Sequence, residues 1–345
     1  MRTDSKHILI IRLSAMGDVA MTVPVVRALV AQYQDVRVTV VSRPFFQPFF
    51  EGIDRVDFFG VDLKKRHKGF WGLYRLFCDL KRRNIDYVAD LHDVLRSKVL
   101  RTFFRLSGTK IAFTDKGRAE KKALTRAKDK VFKPVKPMVE RHAETLGRLG
   151  FPVDLSNPVF PQRQSLSDSV VNFSGKKNGE KWVGIAPFAQ YQTKVYPEDL
   201  MMKVIVSLSG HPSCKIFLFG AGEEVPALHR LQQGLENVLI VAGALSFTEE
   251  LQLVRHLDVM LSMDSGNAHI AAMYGIKVVS LWGNTHPFAG FVPFHQPLSN
   301  SLLPDLKKFP LLPTSVYGNK LVPGYEDVMR TITPGQVVAK IMEGL

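Results

Sequence analysis

Asp258-Val-Met-Leu-Ser-Met263, then Asp264-Ser-Gly-Asn-Ala-His269, then Ile270-Ala-Ala-Met-Tyr274 reads as a buried strand, a tight polar turn and a helix. The turn offers unpaired backbone N–H groups, Gly266 allows close approach of a ligand, and His269 follows one helical turn on. A helix opened this way binds anions, because its orphan N–H groups and its dipole both favour negative charge. The same order occurs far upstream, where His7-Ile-Leu-Ile-Ile-Arg12 leads into Ser14-Ala-Met-Gly17-Asp18-Val19. Two such signals imply a cleft enzyme with one substrate site in each half.

Working outward, a helix is expected from about Ala20 to Tyr33, and strands at Val36–Val41 and Tyr87–Leu91. A further helix is expected at Leu95–Leu106. A stretch dotted with Pro, Ser and Asn, 152–181, interrupts this rhythm and places a boundary there. The alternation resumes with strands at Trp182–Ala186, Lys215–Phe219, Asn237–Val241, Asp258–Met263 and Ile276–Leu281. Thr333-Pro-Gly-Gln336 opens a last helix, with proline suited to its first position. Strands alternating with helices give an α/β fold of two parallel-sheet domains facing each other across a cleft.

The composition, 46% hydrophobic and 23% charged over 345 residues, suits a soluble protein of about two domains. Cys78 and Cys214 are too few for a disulfide framework or a cysteine-rich zinc module, and a reducing cytoplasm is expected. Met1–Leu13 is too short in apolar run for a secretory signal, and no stretch reaches membrane-spanning length. Charge is uneven: residues 1–150 hold 31 Lys and Arg against 16 Asp and Glu, whereas the rest is close to neutral. The first half therefore faces something anionic, while the neutral second half argues against a protein that coats nucleic acid.

Each candidate site residue has a plain structural reading beside the chemical one. Asp18, past the carboxyl end of the first strand, either caps the next helix or accepts a hydroxyl proton as a general base. The segment lacks a GxGxxG fingerprint, which argues against a dinucleotide site. Lys194 is either a solvated cation or a neutralising partner for a pyrophosphate. Glu223 and Glu224 either favour a helix dipole or hold a ribose or sugar hydroxyl. His269 is either a core histidine or a site residue, and no ligand spacing around it suggests a metal. Lys64-Lys-Arg66-His-Lys68 is either a solvated patch or, with Phe70, Trp71 and Tyr74, a surface for an amphiphilic anion.

Taken together, the motifs resemble family 9 glycosyltransferases, the ADP-heptose:lipopolysaccharide heptosyltransferases and relatives. The residues that carry the resemblance are Ser14–Val19, Asp90-Leu-His-Asp-Val-Leu-Arg96-Ser97, Val139-Glu-Arg141, Lys194-Val-Tyr-Pro197, Asp264–His269 and Leu281-Trp-Gly-Asn-Thr285-His-Pro287. The resemblance implies a GT-B fold with two Rossmann-like domains: an acceptor domain over 1–165, a nucleotide-sugar domain over 166–325, and a C-terminal helix over 326–345 that packs back on the first domain. It implies inverting, metal-independent transfer with no cofactor. Asp18 and Lys194 would be catalytic, and Gly17, Lys194, Glu223, Asp264, Ser265, Gly266 and His269 would bind the donor. Lys64, Arg66, Lys68, Arg96 and Arg141 would bind an anionic lipid-linked acceptor.

The expected donor is ADP-heptose and the expected acceptor a lipopolysaccharide inner core. The expected location is the cytoplasm, with peripheral contact at the inner membrane and neither nucleic acid nor an obligate protein partner. The loop Ala189-Gln-Tyr-Gln-Thr193 departs from the Thr or Ser pair that relatives often carry, and Pro313–Asn319 lacks cysteines found in many of them. A different nucleotide-sugar donor, an epimerase or phosphorylase of the same fold, a non-catalytic binder of nucleotide sugars or polyanions, and a nucleic-acid binder are the alternatives.

Overall fold

The computed structural model describes residues 5–343 and Leu345; residues 1–4 of the expected acceptor domain and Gly344 of the expected last segment lie outside them. In chain order the first elements are β1 (Lys6–Ile11), α1 (Met16–Ala20), α2 (Thr22–Gln32), β2 (Val36–Ser42), β3 (Val56–Gly60) and α3 (Gly69–Lys81). Next come β4 (Tyr87–Asp90), α4 (Leu95–Leu106), β5 (Lys110–Phe113), α5 (Arg118–Thr125), α6 (Met138–Gly147) and α7 (Asp168–Ser174). Then follow β6 (Lys181–Ala186), α8 (Glu198–Ser209), β7 (Cys214–Leu218), α9 (Val225–Gln232), β8 (Val238–Ile240) and α10 (Phe247–Val254). The chain ends with β9 (Val259–Met263), α11 (Gly266–Met273), β10 (Lys277–Leu281), β11 (Ser301–Leu302) and α12 (Pro334–Met342).

The chain divides into two compact units. The first comprises residues up to Gly117 together with Lys136–Phe160, and the second comprises Arg118–Val135 and Pro161–Leu345. Among the described residues the first unit holds a sheet of order β3-β2-β1-β4-β5 and the second one of order β11-β10-β9-β6-β7-β8. Every strand pair is parallel, for example Ile8 with Val38 on one side of β1 and with Tyr87 on the other. Such sheets are covered on both faces, which is why β1 is a continuous apolar run. Ile8, Leu9, Ile10 and Ile11 are all fully buried, each stabilising by about 1.5–3 kcal/mol. Because all strands of a sheet run the same way, the loops that follow them gather along one edge, where open α/β sheets bind ligands.

Three expectations change. The helix expected from Ala20 starts at Met16 and breaks at Met21, so Gly17 and Asp18 lie in a helical first turn and not in an open loop. Residues 118–135 belong to the second unit, although 1–165 was expected to be one domain. Leu124 and Val135 bury against Ala289 there, Lys121 lies over the Phe291 ring, and the Val135 N–H donates to the Phe288 carbonyl. The C-terminal helix α12, expected on the first domain, packs on α8 of the second unit, with Val337 and Ile341 inside that unit's core. No described helix is long and apolar enough to cross a membrane.

Candidate active site

The first unit collects its strand-end loops around the Asp18 carboxylate. The side chain of Asp18 lies 2.5 Å from the Arg12 guanidinium, and it also accepts the Ala15 N–H at 3.3 Å. The capping and chemical readings of Asp18 are therefore compatible. Arg12 is buried and further fixed by donating to the carbonyls of Leu91 (2.6 Å) and Ser14 (2.9 Å). Arg43, after β2, donates to the Leu13 carbonyl at 3.2 Å. At the end of β4, Asp90 accepts N–H bonds from His92 and Asp93 and pairs with Arg101 at 2.9 Å, which shapes the turn into α4.

His92 is buried in this turn, where its Nδ1 lies 3.4 Å from the Leu13 N–H. Burial pushes its imidazole down to about 3; the nearby cations Arg12 and Lys116 add to the effect, and Asp18 opposes it. A neutral imidazole among cations is thus available beside Asp18 throughout the physiological range. Arg12, Arg43, His92 and Lys116 were not singled out by the sequence reading. The one local signal was a charged residue, Arg12, closing an otherwise apolar strand.

The acceptor candidates fall into two groups. Lys64, Arg66 and Lys68 are exposed in the loop after β3, and Arg96 is exposed in the first turn of α4, all following strand ends of the same sheet. Arg66 also pairs with Asp79 at 2.8 Å. Arg141 does not join them. It is buried in α6, donates to the Lys136 carbonyl at 3.1 Å and pairs with Asp115 at 3.3 Å. Asp115 and Lys136 flank the excursion 118–135, so Arg141 fastens the two roots of that excursion.

In the second unit the Lys194 ammonium lies 3.1 Å from the Asp264 carboxylate, with only 12% and 10% of the two side chains exposed. Lys194 ends the loop after β6, and Asp264 follows β9 with its N–H bonded to the Leu281 carbonyl at 3.0 Å. Next to Asp264, α11 starts at Gly266, and no side chain caps its first turn. The Ser265 hydroxyl is engaged by Ser262 at 3.1 Å, and His269 is buried in α11. The loop holding Lys194 is anchored from below: the buried Tyr196 hydroxyl donates to the Ile332 carbonyl at 2.6 Å, and burial raises that phenol to about 12.

Two glycines make this packing possible. A side chain on Gly283 would place its Cβ 2.1 Å from the Thr193 carbonyl oxygen. Gly318 has a φ of +83°, and a Cβ there would meet the Lys194 stem at 2.6 Å. Segment 313–319 is thereby laid over Lys194. The N–H groups of Thr314 and Ser315 bond the Asn284 carbonyl, and the Ser315 hydroxyl accepts the Gly318 N–H at 2.9 Å. Lys130 fixes the same segment by donating to the Pro313 carbonyl at 2.9 Å. The Ser315 turn and Lys130 thus hold this segment in place.

Asn284 and Thr285 are buried, and the Asn284 amide and the hydroxyls of Thr285 and the half-buried Thr314 have no hydrogen-bond partner. Buried polar groups are nearly always satisfied, so these unpartnered atoms stand out beside the Thr193–Lys194 loop, where the Asn284 N–H donates to the Thr193 carbonyl at 3.1 Å. They went unnoticed in the sequence, where Asn284 and Thr285 were only part of a motif. Between the two candidate glutamates, Glu224 accepts the Ala221 N–H at 2.7 Å as a local cap, and Glu223 is exposed. Among the described residues no three His, Cys, Asp or Glu converge on a possible metal position.

The model of glycosyltransferase family 9 (heptosyltransferase) matches residues 73–305, well over half of the chain. The chain is 23% identical over 306 residues to lipopolysaccharide heptosyltransferase 3 of Escherichia coli, covering 83% of this chain and 85% of that one. It is similar in structure to a family 9 glycosyl transferase from Veillonella parvula DSM 2008, with TM-score 0.75, 18% identity and coverage of 100% and 99% of the two chains. It is also similar to E. coli heptosyltransferase WaaC with ADP, with TM-score 0.63, 20% identity and coverage of 98% and 97%. Two parallel-sheet units with strand-end sites of this kind define a glycosyltransferase of GT-B type. The chain belongs to glycosyltransferase family 9.

Proposed function

We propose that this enzyme transfers heptose from ADP-heptose to a lipopolysaccharide inner-core acceptor, inverting the anomeric carbon without a metal ion. The observation that carries the reading is the Asp18 carboxylate fixed 2.5 Å from a buried arginine at the end of the central strand. The acceptor hydroxyl oxygen attacks the anomeric carbon, the bond from that carbon to the diphosphate oxygen breaks, and the hydroxyl proton passes to Asp18. General-base help of this kind is worth about 10²–10⁴ in rate.

In the second unit, Lys194 and the first-turn N–H groups of α11, at Gly266, neutralise the leaving diphosphate, and Asp264 holds the Lys194 ammonium in place. Asn284, Thr285 and Thr314 suit sugar hydroxyls, and Glu223 suits the ribose. Lys64, Arg66, Lys68 and Arg96 face the anionic acceptor. The relatives named as heptosyltransferases, one of them with ADP, support this donor and acceptor class.

A second reading keeps the fold and changes the donor sugar. It is favoured by Thr193, whose hydroxyl is spent on the Gly318 carbonyl in a loop that already lacks the relatives' Thr or Ser pair. Calorimetric titration with ADP, UDP, GDP and CMP, without metal and then with a chelator, separates the two. Tightest binding of ADP, unaffected by the chelator, supports an ADP-sugar. Preference for another nucleotide discards heptose as the donor, and binding of none removes the transferase reading.

A further inference from the structure

We infer that the outer face of α3 and α4 seats the enzyme on an anionic lipid bilayer. Isolated exposed apolar residues are ordinary, but here they form one continuous surface. Phe70 and Trp71 meet edge to face at 5.7 Å, and Phe103 of α4 lies 5.5 Å from both Phe70 and Tyr74. Leu106, one turn beyond Phe103, is 81% exposed, and Trp71 is 73% exposed. Beneath this layer Leu73, Leu76, Leu80, Leu100 and Phe104 form the buried side of the same helices. Phe103 packs against that core, whereas Phe70, Trp71 and Tyr74 lie outside it and are exposed.

The charge around this face names the occupant. Residues 64–110 carry thirteen Lys and Arg against four Asp and no Glu. The one acid on α3, Asp79, is engaged by Arg66 and His67, and α4 has none. Arg75 and Arg105 are exposed on the two helices, next in sequence to Tyr74 and Leu106. Aromatic side chains at the acyl boundary with cations at headgroup level is the pattern of an interfacial helix face, and it is complementary to anionic lipid. The loop carrying Lys64, Arg66 and Lys68 runs directly into α3, so seating this face puts that loop at headgroup depth. The inference holds whichever sugar is transferred.

The chain has three tryptophans, and Trp182 and Trp282 are buried, so emission changes report Trp71. The full-length protein is mixed with phosphatidylcholine vesicles, with and without phosphatidylglycerol, in the absence of any saccharide acceptor. The expected result is binding to the anionic vesicles with a blue shift in emission. Trp71→Phe should keep binding and lose the shift. Trp71→Ser with Leu106→Glu should abolish binding while ADP affinity stays unchanged. Arg75→Gln with Arg105→Gln should weaken partitioning roughly twenty-fivefold, at about fivefold per charge.

Four results would overturn the inference. They are equal binding to neutral and anionic vesicles, binding unaffected by the Trp71→Ser/Leu106→Glu or Arg75→Gln/Arg105→Gln pairs, binding only to vesicles that carry the lipopolysaccharide acceptor, or a dimer in solution that Leu106→Glu dissociates. The third assigns the face to the acceptor and the fourth to a second copy of the chain.

Discussion

Lys194→Met removes one charge and keeps a stem of similar length to pack under Gly318. Two losses follow, and they can be separated. The first is folding stability: Asp264, about nine-tenths buried, loses its partner at 3.1 Å. Stranding one member of a fully buried pair costs about 3–5 kcal/mol, and the remaining exposure brings this to about 2–3 kcal/mol. The second is ligand affinity: a charge-assisted hydrogen bond to the diphosphate is worth about 1.5–3 kcal/mol, or roughly 10–150-fold in Kd for ADP. Adding Asp264→Asn removes the stranded charge, so the double variant should recover much of the stability and none of the affinity. Denaturant unfolding and calorimetry with ADP measure the two quantities on the parent, Lys194→Met, Asp264→Asn and the double variant. Lys194→Met binding ADP as tightly as the parent would take Lys194 out of the donor site. A double variant no more stable than the single would refute the pair as the source of the stability loss.

Gly283→Ala should cost about 1–3 kcal/mol, because the new Cβ has to displace a backbone carbonyl; ADP affinity should fall with it as the Thr193–Lys194 loop shifts. Gly210→Ala, whose Cβ would meet nothing closer than 3.6 Å, serves as the neutral control by thermal unfolding. Burial raises the Glu250 carboxyl to about 7. Between its unfolded value near 4.5 and about 7 the folded protein holds a proton that the unfolded chain has lost, so stability drops as pH rises through that window. Glu250→Gln should leave stability unchanged near pH 4 and raise it by about 1–2 kcal/mol above pH 7. His92, held at about 3, acts with the opposite sign. The unfolded chain takes up a proton below about 6.5 that the folded protein refuses, so its stabilising contribution is present at neutral pH and lost as the medium acidifies. Measured from pH 7 to 5, His92→Gln should lose stability less steeply than the parent.

The central strands were legible because strands buried on both faces must be apolar, as in β1, β6 and β9. The edge strands β3 and β5 were not, since Val-Asp-Phe-Phe-Gly and Lys-Ile-Ala-Phe are short and half exposed and carry no periodicity. Residues 118–135 read as a charged stretch of the first half. Their partners are Phe291, Phe288 and the carbonyls of Leu311 and Pro313, more than 150 residues away, and no local pattern encodes that distance.

On the site, the Asp264 turn and Lys194 were legible as strand-end residues within motifs of the family, and the structure brings them within 3.1 Å of each other. Arg141 was an acceptor candidate through the family resemblance, and no local pattern reveals that it lies buried in α6 between the Lys136 carbonyl and the Asp115 carboxylate. Asn284 was invisible for a similar reason: its interest lies in a buried amide with no partner, a property of packing.

The most direct test of the account is single-turnover transfer from ADP-heptose to a heptose-free lipopolysaccharide inner-core acceptor, comparing the parent with Asp18→Asn and determining the anomeric configuration of the product. The account predicts an inverted glycoside from the parent, and for the variant a rate lower by about 10²–10⁴ at nearly unchanged ADP affinity. Retained configuration, or an Asp18→Asn variant that turns over at the parent's rate, would contradict it.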